Sequence, residues 1–308
     1  MLDLHATFRG TLLGVAIGDA LGAPFEGKLP SDWPTLLQRQ QELVPRRYTD
    51  DTHMTIGMAE SLIAKSGFDG ADMVTVWARH FAEEPWRGYG AGPPQIFRLI
   101  DRGMAWDQAG HTLFSGAGSL GNGAAMRVAP AAMIAFTDLE KVANLARQTS
   151  MITHTHALGV EGAVLQAVTL AFLLQHPPGT ALDVTALLTM LRTVAREPEY
   201  REKIDRIEAL LPAGTPAEVI DQLGHGIAAL ESVPTAIYAF LRQHESFASV
   251  VTYAISLGGD ADTIAAMAGA LAGAYLGVAA IPAHWREQVE GAAHLQNLAD
   301  QLLSIADW

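Results

Sequence analysis

The sequence has no cysteine, which excludes disulfide bonds, thiolate metal sites and a thiol nucleophile. Positive charge is also scarce, because 20 Lys and Arg stand against 33 Asp and Glu and give a formal net charge of −13 at pH 7. This balance gives no electrostatic reason for binding nucleic acid, so we expect no direct nucleic-acid partner. It would also repel an anionic substrate unless metal ions or local dipoles reversed the field at the site.

Signals for export or membrane insertion are also lacking. The first residues have no basic region followed by a hydrophobic core, so we expect a cytoplasmic protein. Residues 264–281 form an uncharged run, but it is mostly Ala and Gly and begins beside two aspartates, so we expect no membrane span. A chain of 308 residues with 49% hydrophobic content can bury a large core. We predict a single domain over residues 1–308, acting as a monomer.

Glycine recurs at every fourth position in two stretches that are predicted to be helices. This spacing leaves a groove of bare backbone along one helix face, so we expect the two helices to pack closely on each other or on nearby helices. Other helices are predicted at 71–84 and 95–103, with short peripheral ones at 177–216. No strand alternation of convincing length is present, so the predicted fold class is all-α with about a dozen helices. The glycines are Gly10, Gly14, Gly18 and Gly22 within residues 4–22, and Gly269, Gly273 and Gly277 in the late helix.

Two acidic motifs lie where helices are predicted to begin. In the later motif the acids are two residues apart and would point away from each other inside a regular helix, so we expect both to lie on a turn where they converge. Ordinary helix caps are the alternative, but a cap needs only one carboxylate. Carboxylates and hydroxyls are hard oxygen ligands, which favours Mg²⁺ or Mn²⁺ over Zn²⁺. The motifs contain Thr49, Asp50 and Asp51, and Asp260, Asp262 and Thr263.

Other residues are candidates for the same chemistry, each with a plainer interpretation. Glu26 follows a predicted helix end, and a solvated loop acid is the alternative. The glycine-rich segment 114–127 precedes a helix and is a candidate phosphate-binding loop, although a flexible connection is equally consistent. His154 and His156 lie at a predicted helix boundary, where one contacts substrate or both are ordinary hydrogen-bonded histidines. Arg127 is expected to be interior and therefore paired with an acid.

The order of these motifs resembles the ADP-ribosylglycohydrolase family, the relatives of the dinitrogenase-reductase-activating glycohydrolase, over nearly the whole chain. The matching blocks are 14–22 with Glu26, 48–52, 121–128, 153–154 and 258–264. Blocks 87–90, 226–237 and 256–260 look like the branch that cleaves O-linked ADP-ribose from serine, from poly(ADP-ribose) and from O-acetyl-ADP-ribose. The branch that cleaves arginine-linked ADP-ribose looks less similar. The resemblance implies an orthogonal multi-helix bundle of the ADP-ribosylglycohydrolase type.

The resemblance also implies a site with two Mg²⁺, or Mn²⁺ as in some relatives. The positions that match the family's metal ligands are Thr49, Asp50, Asp51, Asp260, Asp262 and Thr263. The positions that match its substrate contacts are Phe114 for the adenine pocket, Gly118, Ser119, Leu120, Gly121 and Asn122 for the diphosphate loop, and His154 for the ribose. Leu120 stands where a tyrosine is expected and Ala117 where a lysine is expected, and both departures bear on adenine and polymer binding.

Glu26 and Asp260 are the predicted catalytic residues. Cleavage of the bond at C1″ of ribose develops oxocarbenium character, so cations that hold the ribose hydroxyls and orient a water would assist it. A ligand aspartate such as Asp260 would help to deprotonate that water, and Glu26 would manage the leaving-group proton or gate the pocket. Expected partners are ADP-ribosylated proteins or poly(ADP-ribose), with ADP-ribose as product. The alternatives are an arginine-linked hydrolase, a non-catalytic ADP-ribose-binding protein and a metal-dependent phosphohydrolase.

Overall fold

The fold is built from helices, as the sequence predicts. The structure is a computed structural model that describes residues 3–176 and 180–307, so the first residues of the predicted 177–216 segment lie outside it. Within the described residues there is no β-strand, and Gly121 and Ala228 form an isolated antiparallel bridge. The α-helices are α1 (Leu4–Gly22), α2 (Trp33–Gln38), α3 (Asp50–Lys65), α4 (Gly70–Glu83), α5 (Gly92–Asp101), α6 (Trp106–Ala109), α7 (Gly123–Met126), α8 (Ala129–Ile134), α9 (Leu139–Met151), α10 (Ala157–Leu174), α11 (Val184–Val194), α12 (Pro198–Leu210), α13 (Pro216–Leu223), α14 (Ala229–Gln243), α15 (Phe247–Ser256), α16 (Ala261–Leu276), α17 (Ala283–Gln288) and α18 (Ala292–Ile305).

The glycine grooves of α1 and α16 face each other, which confirms the predicted close packing. A Cβ atom on Gly14 would lie 2.1 Å from the carbonyl oxygen of Gly269, and one on Gly273 would lie 1.9 Å from the carbonyl oxygen of Gly10. Only glycine allows this approach, because each position faces main-chain atoms that no rotamer change can move. The contacts run in opposite chain directions, so the C-terminal end of α1 lies beside the N-terminal end of α16.

Two predicted boundaries differ from the structure. Helix α5 begins at Gly92, not near residue 95, because Pro93 and Pro94 occupy its first turn, where the missing N–H groups have no intrahelical partner. Asp260 is the N-cap of α16, with φ −83° and ψ 60°, but Asp262 already belongs to the first helical turn. The prediction that both acids lie on a turn is therefore wrong for Asp262. The carboxylates of Asp260 and Asp262 still converge, because the backbone of Asp260 is not helical and its side chain does not follow the helical direction.

Helix α10 is the one described helix that is long and apolar enough to cross a membrane by length and composition. Of this 18-residue stretch, 78% is buried inside the protein, as expected for the central helix of a folded core. The run at 264–281, considered above for the same reason, belongs mainly to α16, whose residues are buried from Ala261 to Tyr275. Both helices are therefore apolar on all sides because other helices surround them.

Candidate active site

Three helix ends meet at one end of the α1 and α16 pair and bring the predicted acids together. Carboxylate oxygens of Asp19, Asp51 and Asp262 all lie within 4.8 Å of one another. Those of Glu26, Asp260 and Asp262 form a second such group, so Asp262 belongs to both. The six predicted ligand residues and Glu26 all line one pocket of ≈ 390 Å³, namely Glu26, Thr49, Asp50, Asp51, Asp260, Asp262 and Thr263.

The acids of this site are crowded and shielded from water, which disfavours their charged forms. Burial and the nearby Asp19 raise the pKa of Asp50 to about 7, and burial and Asp260 raise the pKa of Asp262 to about 8. Burial and neighbouring carboxylates also raise the pKa of Asp51, and its Oδ1 atom is buried without a hydrogen-bond partner. A divalent cation would remove the repulsion and occupy the free oxygen, so the donor set fits Mg²⁺ or Mn²⁺.

Asp19 is a residue of this site that the sequence analysis missed. Its buried carboxylate accepts hydrogen bonds from the backbone N–H groups of Thr49 at 2.9 Å and Thr52 at 3.0 Å, and from both hydroxyls, at 2.8 and 2.6 Å. Helix α3 has no capping side chain of its own, so Asp19 caps it from α1. Its place within the glycine stripe, where a carboxylate would otherwise be costly to bury, was the available signal.

Glu26 lies at the mouth of the pocket on an exposed loop. It follows the short 3₁₀ helix Ala23–Phe25, and its side chain is exposed. Two backbone hydrogen bonds join this loop to the turn before α16: Gly27 N–H donates to Gly259 O at 2.7 Å, and Gly259 N–H donates to Lys28 O at 3.1 Å. These bonds explain why a residue some 230 positions earlier in the chain reaches the late acids.

The loop predicted to bind diphosphate is joined to the segment before α14. Asn122 N–H donates to Ile227 O at 3.0 Å, and Ala229 N–H donates to Leu120 O at 3.0 Å. The Asn122 amide donates to the Asp260 carboxylate and to Ser232 Oγ, so its side chain supports an acid of the cluster. Ser119, Gly121 and Asn122 line the pocket, whereas Gly118 and Leu120 do not. Gly118 packs against Thr155, and the Leu120 side chain is 45% exposed.

The outer part of the pocket is apolar. Phe114 is 62% exposed and adopts a left-handed conformation, φ 52°, which turns it out of the 3₁₀ segment Gly110–Gly116. Ile227 is 73% exposed and also lines the pocket. Exposed apolar side chains at a pocket mouth provide a surface for a flat ligand group. Ile227 was named only within the 226–237 block, because nothing local distinguishes it from a surface residue.

One pocket wall, formed by residues 88–93, is held by Arg87. This buried guanidinium donates to both carboxylate oxygens of Glu290, at 2.7 and 2.9 Å, and to Glu84 at 2.8 and 2.9 Å. It also lies 4.2 Å from the centre of the Tyr48 ring. A Cβ atom added to the next residue, Gly88, would lie 3.6 Å from Asp50 Oδ1. The wall therefore packs directly beside the acids.

The two histidines near residue 155 have different roles. His156 is the N-cap of α10 and accepts a hydrogen bond from Leu158 N–H, whereas His154 lines the pocket. Burial and the nearby Arg127 lower the pKa of His154 to about 3, so the ring is neutral. The prediction that Arg127 pairs with an acid is wrong: no carboxylate in the described residues lies within ion-pair distance of it, and its hydrogen-bond acceptors are Thr153 Oγ1 and Met54 Sδ. It lies 4.3 Å from the Trp77 ring centre and donates to Thr153 Oγ1 instead.

These features define a class of protein, an all-helical fold in which acidic helix ends could hold a cation beneath a ligand pocket. Comparison with known proteins gives the particular family. A model of the ADP-ribosylglycohydrolase family matches residues 2–307, and the chain belongs to that family, which confirms the resemblance stated above. It is a glycosidic-bond hydrolase with an orthogonal bundle fold.

The chain is similar along nearly its whole length to two known hydrolases and to one solved structure. The ADP-ribosylhydrolase ARH3 of Bos taurus is 37% identical over 335 residues, covering 96% of this chain and 92% of that protein. The ADP-ribosylarginine hydrolase Tri1 of Pseudomonas putida is 28% identical and covers 97% of this chain but 78% of that protein. Among solved structures, an ADP-ribosylglycohydrolase-related protein complex aligns with a TM-score of 0.79 and 28% identity, and covers all of both chains.

Proposed function

We propose that this protein removes ADP-ribose from O-linked acceptors by hydrolysing the glycosidic bond at C1″ of the ribose, with two divalent cations. The observation that supports it most directly is the convergence of Glu26 with two groups of helix-end acids under a pocket with an apolar mouth. Identity favours this branch over arginine-linked hydrolysis, because the chain is more similar to the ADP-ribosylhydrolase than to the ADP-ribosylarginine hydrolase. Candidate acceptors are serine-linked ADP-ribose, poly(ADP-ribose) and O-acetyl-ADP-ribose.

The acids would hold Mg²⁺, or Mn²⁺, in two groups that share Asp262. The proposed ligands are Thr49, Asp50, Asp51, Asp260, Asp262 and Thr263. When bound, the cations would supply positive charge for the ribose hydroxyls and a water, and would offset the net charge of −13 for a diphosphate ligand. Asp19 is close enough to belong to the cluster, but its carboxylate already accepts the hydrogen bonds of the α3 N-terminus.

Asp260, Glu26 and His154 have proposed roles in proton transfer and hydrogen bonding that follow from their positions. The Asn122 amide donates to one carboxylate oxygen of Asp260 and thereby orients the group, which would both ligate a cation and help to deprotonate a water. Glu26 is exposed at the mouth, where it can deliver a proton to the departing acceptor oxygen and then exchange it with solvent. His154 is neutral and lies against Gly121 and Gly123, where it can donate a hydrogen bond to a ribose oxygen.

The remainder of the pocket provides the proposed contacts for the diphosphate and the adenine of the ligand. Ser119 and Gly121 lie on the loop that begins α7, and they are the proposed diphosphate contacts. The exposed side chains of Phe114 and Ile227 are the proposed contacts for adenine. Because Leu120 does not line the pocket, we propose that Ile227 takes the place of the second aromatic residue expected from the resemblance.

The test is product analysis with purified protein and Mg²⁺ or Mn²⁺ on serine-linked, arginine-linked and polymeric ADP-ribose. Free ADP-ribose should be released, and faster from the serine linkage than from the arginine linkage. Asp260→Asn should abolish release, while Asp221→Asn, an exposed acid of α13, should behave as wild type. Faster arginine-linked turnover would overturn the acceptor class. AMP as product would indicate a phosphohydrolase, and ligand binding without turnover a binding protein.

The cytoplasmic location, the monomeric state and the single domain over residues 1–308 stay predictions. A monomer would show the mass of one 32.8 kDa chain in light scattering.

A further inference from the structure

Three buried side chains form a hydrogen-bonded row from the protein core to the pocket. Arg127 Nη2 lies 2.5 Å from Thr153 Oγ1, and Thr153 Oγ1 lies 2.7 Å from His154 Nδ1. Trp77 fixes the inner end, because its ring lies under the guanidinium and its indole N–H donates to Met54 O at 2.9 Å. The outer end, His154, lines the pocket.

The direction of each hydrogen bond follows from the donors available. A guanidinium has no acceptor, so Arg127 must donate to the Thr153 hydroxyl. That hydroxyl carries one hydrogen, and His154 Nδ1 is its only other partner within the described residues. If Nδ1 carried the proton, the buried hydroxyl hydrogen would have no acceptor, which is costly. Nδ1 therefore accepts, and the neutral ring must carry its proton on Nε2.

The Nε2 atom is directed at the glycine-rich wall of the pocket. A Cβ on Gly123 would lie 3.1 Å from Nε2, and one on Gly121 would lie 3.7 Å from it. These positions lie at the start of α7, beside Asn122 and the acids. A donor here meets whatever ligand oxygen approaches the cluster. The cationic Arg127 also disfavours protonation of the ring, since it contributes to the lowered pKa of His154.

We propose that Arg127 and Thr153 are positioning residues that hold His154 in the Nε2–H tautomer, so that it donates to an oxygen of the ligand and cannot accept from it. The identity of that oxygen as one of the ribose rests on the proposed function. The tautomer does not, because it follows from the protein's own hydrogen bonds. The buried arginine without an acid partner is thereby explained: a carboxylate beside Thr153 would compete for the hydroxyl hydrogen and release the ring.

The tautomer can be read directly from the free protein by ¹H–¹⁵N correlation spectra of ¹⁵N-histidine-labelled protein. The chain has 11 histidines, so a His154→Gln variant assigns the ring by the loss of its signals. We expect protonated Nε2 and unprotonated Nδ1 for His154 in wild type. Thr153→Val keeps the shape and removes the hydroxyl, and it should give a mixture of tautomers. Thr153→Ser keeps the hydroxyl and should restore the Nε2–H form.

Ligand binding supplies the second readout. Calorimetric titration of ADP-ribose should show about tenfold weaker binding for Thr153→Val, the loss expected for one oriented hydrogen bond, and about wild-type binding for Thr153→Ser. Thr149→Val is the matched control, since Thr149 is equally buried and its hydroxyl donates to Ala146 O, away from the pocket. It should change neither the spectrum nor the affinity.

The outcomes separate this proposal from the proposed function. An Nδ1–H tautomer in wild type overturns the proposal, and so does a folded Thr153→Val variant that keeps both the wild-type spectrum and the wild-type affinity. If Thr153→Val does not fold, the wild-type and Thr153→Ser spectra still decide. A wild-type protein with the Nε2–H tautomer that hydrolyses none of the three substrates supports the hydrogen-bond row and overturns the proposed function.

Discussion

Gly14→Ala tests whether the backbone contact between α1 (Leu4–Gly22) and α16 (Ala261–Leu276) is as close as the structure indicates. The new Cβ would lie 2.1 Å from the carbonyl oxygen of Gly269, while ordinary contact begins at 3.4 Å. The helices would therefore have to separate locally by about 1.3 Å, the difference between these values. Overpacking of this kind costs about 3 kcal/mol. Alanine recovers about 1 kcal/mol through its higher helix propensity, so the net destabilisation is about 2 kcal/mol.

The assay is thermal unfolding followed by circular dichroism at 222 nm with Mg²⁺ held constant. For a chain of 308 residues, with an unfolding entropy of about 2.1 cal/mol/K per residue, about 2 kcal/mol corresponds to a fall in Tm of roughly 3 °C. The control is Gly90→Ala, because Gly90 has no atom within 4 Å of an added Cβ and no positive φ, so its Tm should stay within about 1 °C. Gly90 lines the pocket, so the control is read for stability alone. An unchanged or higher Tm for Gly14→Ala would refute the reasoning, since propensity would then outweigh packing.

Three other changes give clear expectations. In the folded protein the pKa values of Asp50 (about 7) and Asp262 (about 8) exceed the ordinary value of 3.8. Between about pH 4 and 8 the folded metal-free protein therefore binds more protons than the unfolded chain. Its stability falls as pH rises through that window. The rise in Tm on adding Mg²⁺ should therefore be larger at pH 8 than at pH 5, and an equal rise would contradict the metal site. Asp19→Asn should lower the free energy of unfolding by about 1–2 kcal/mol in urea titrations, because it weakens the cap of α3, and an unchanged midpoint would show that the cap is not stabilising. Leu120→Tyr should leave ADP-ribose affinity within about twofold in calorimetry, since Leu120 does not line the pocket; clearly tighter binding would mean that the tyrosine reaches adenine.

The parts of the fold that could be predicted depend on patterns within one stretch of chain. The glycine spacing of residues 4–22 requires a close neighbour, and a second stripe of the same kind was the natural partner. The acids of the two motifs were recognisable because a helix start does not need so many carboxylates. Both inferences use only neighbouring residues, for which helix geometry fixes the relative positions.

The parts that failed depend on contacts between distant segments. The position of Asp19 within the glycine stripe indicates a buried carboxylate, but its role as the cap of α3 follows only from where Thr49 and Thr52 lie in space. Ile227 is one aliphatic residue among many until the fold places it at the pocket mouth. Buried arginines usually have an acid partner, but at Arg127 the Trp77 ring and the Thr153 hydroxyl take that place. Composition alone cannot distinguish these partners.

The contacts of Arg87 have a consequence for how the chain can be divided. Glu290, which binds this guanidinium through both carboxylate oxygens, lies in the turn between α17 (Ala283–Gln288) and α18 (Ala292–Ile305), a region that contributes no residue to the pocket lining. A fragment that ends before Glu290 would keep every acid and every loop of the site. It would still leave the buried Arg87 guanidinium without one of its two carboxylate partners, beside the wall that Gly88 forms against Asp50. We therefore expect ligand binding to require a segment that follows every pocket residue in the chain, so a nascent or truncated chain should acquire helices well before it acquires a pocket.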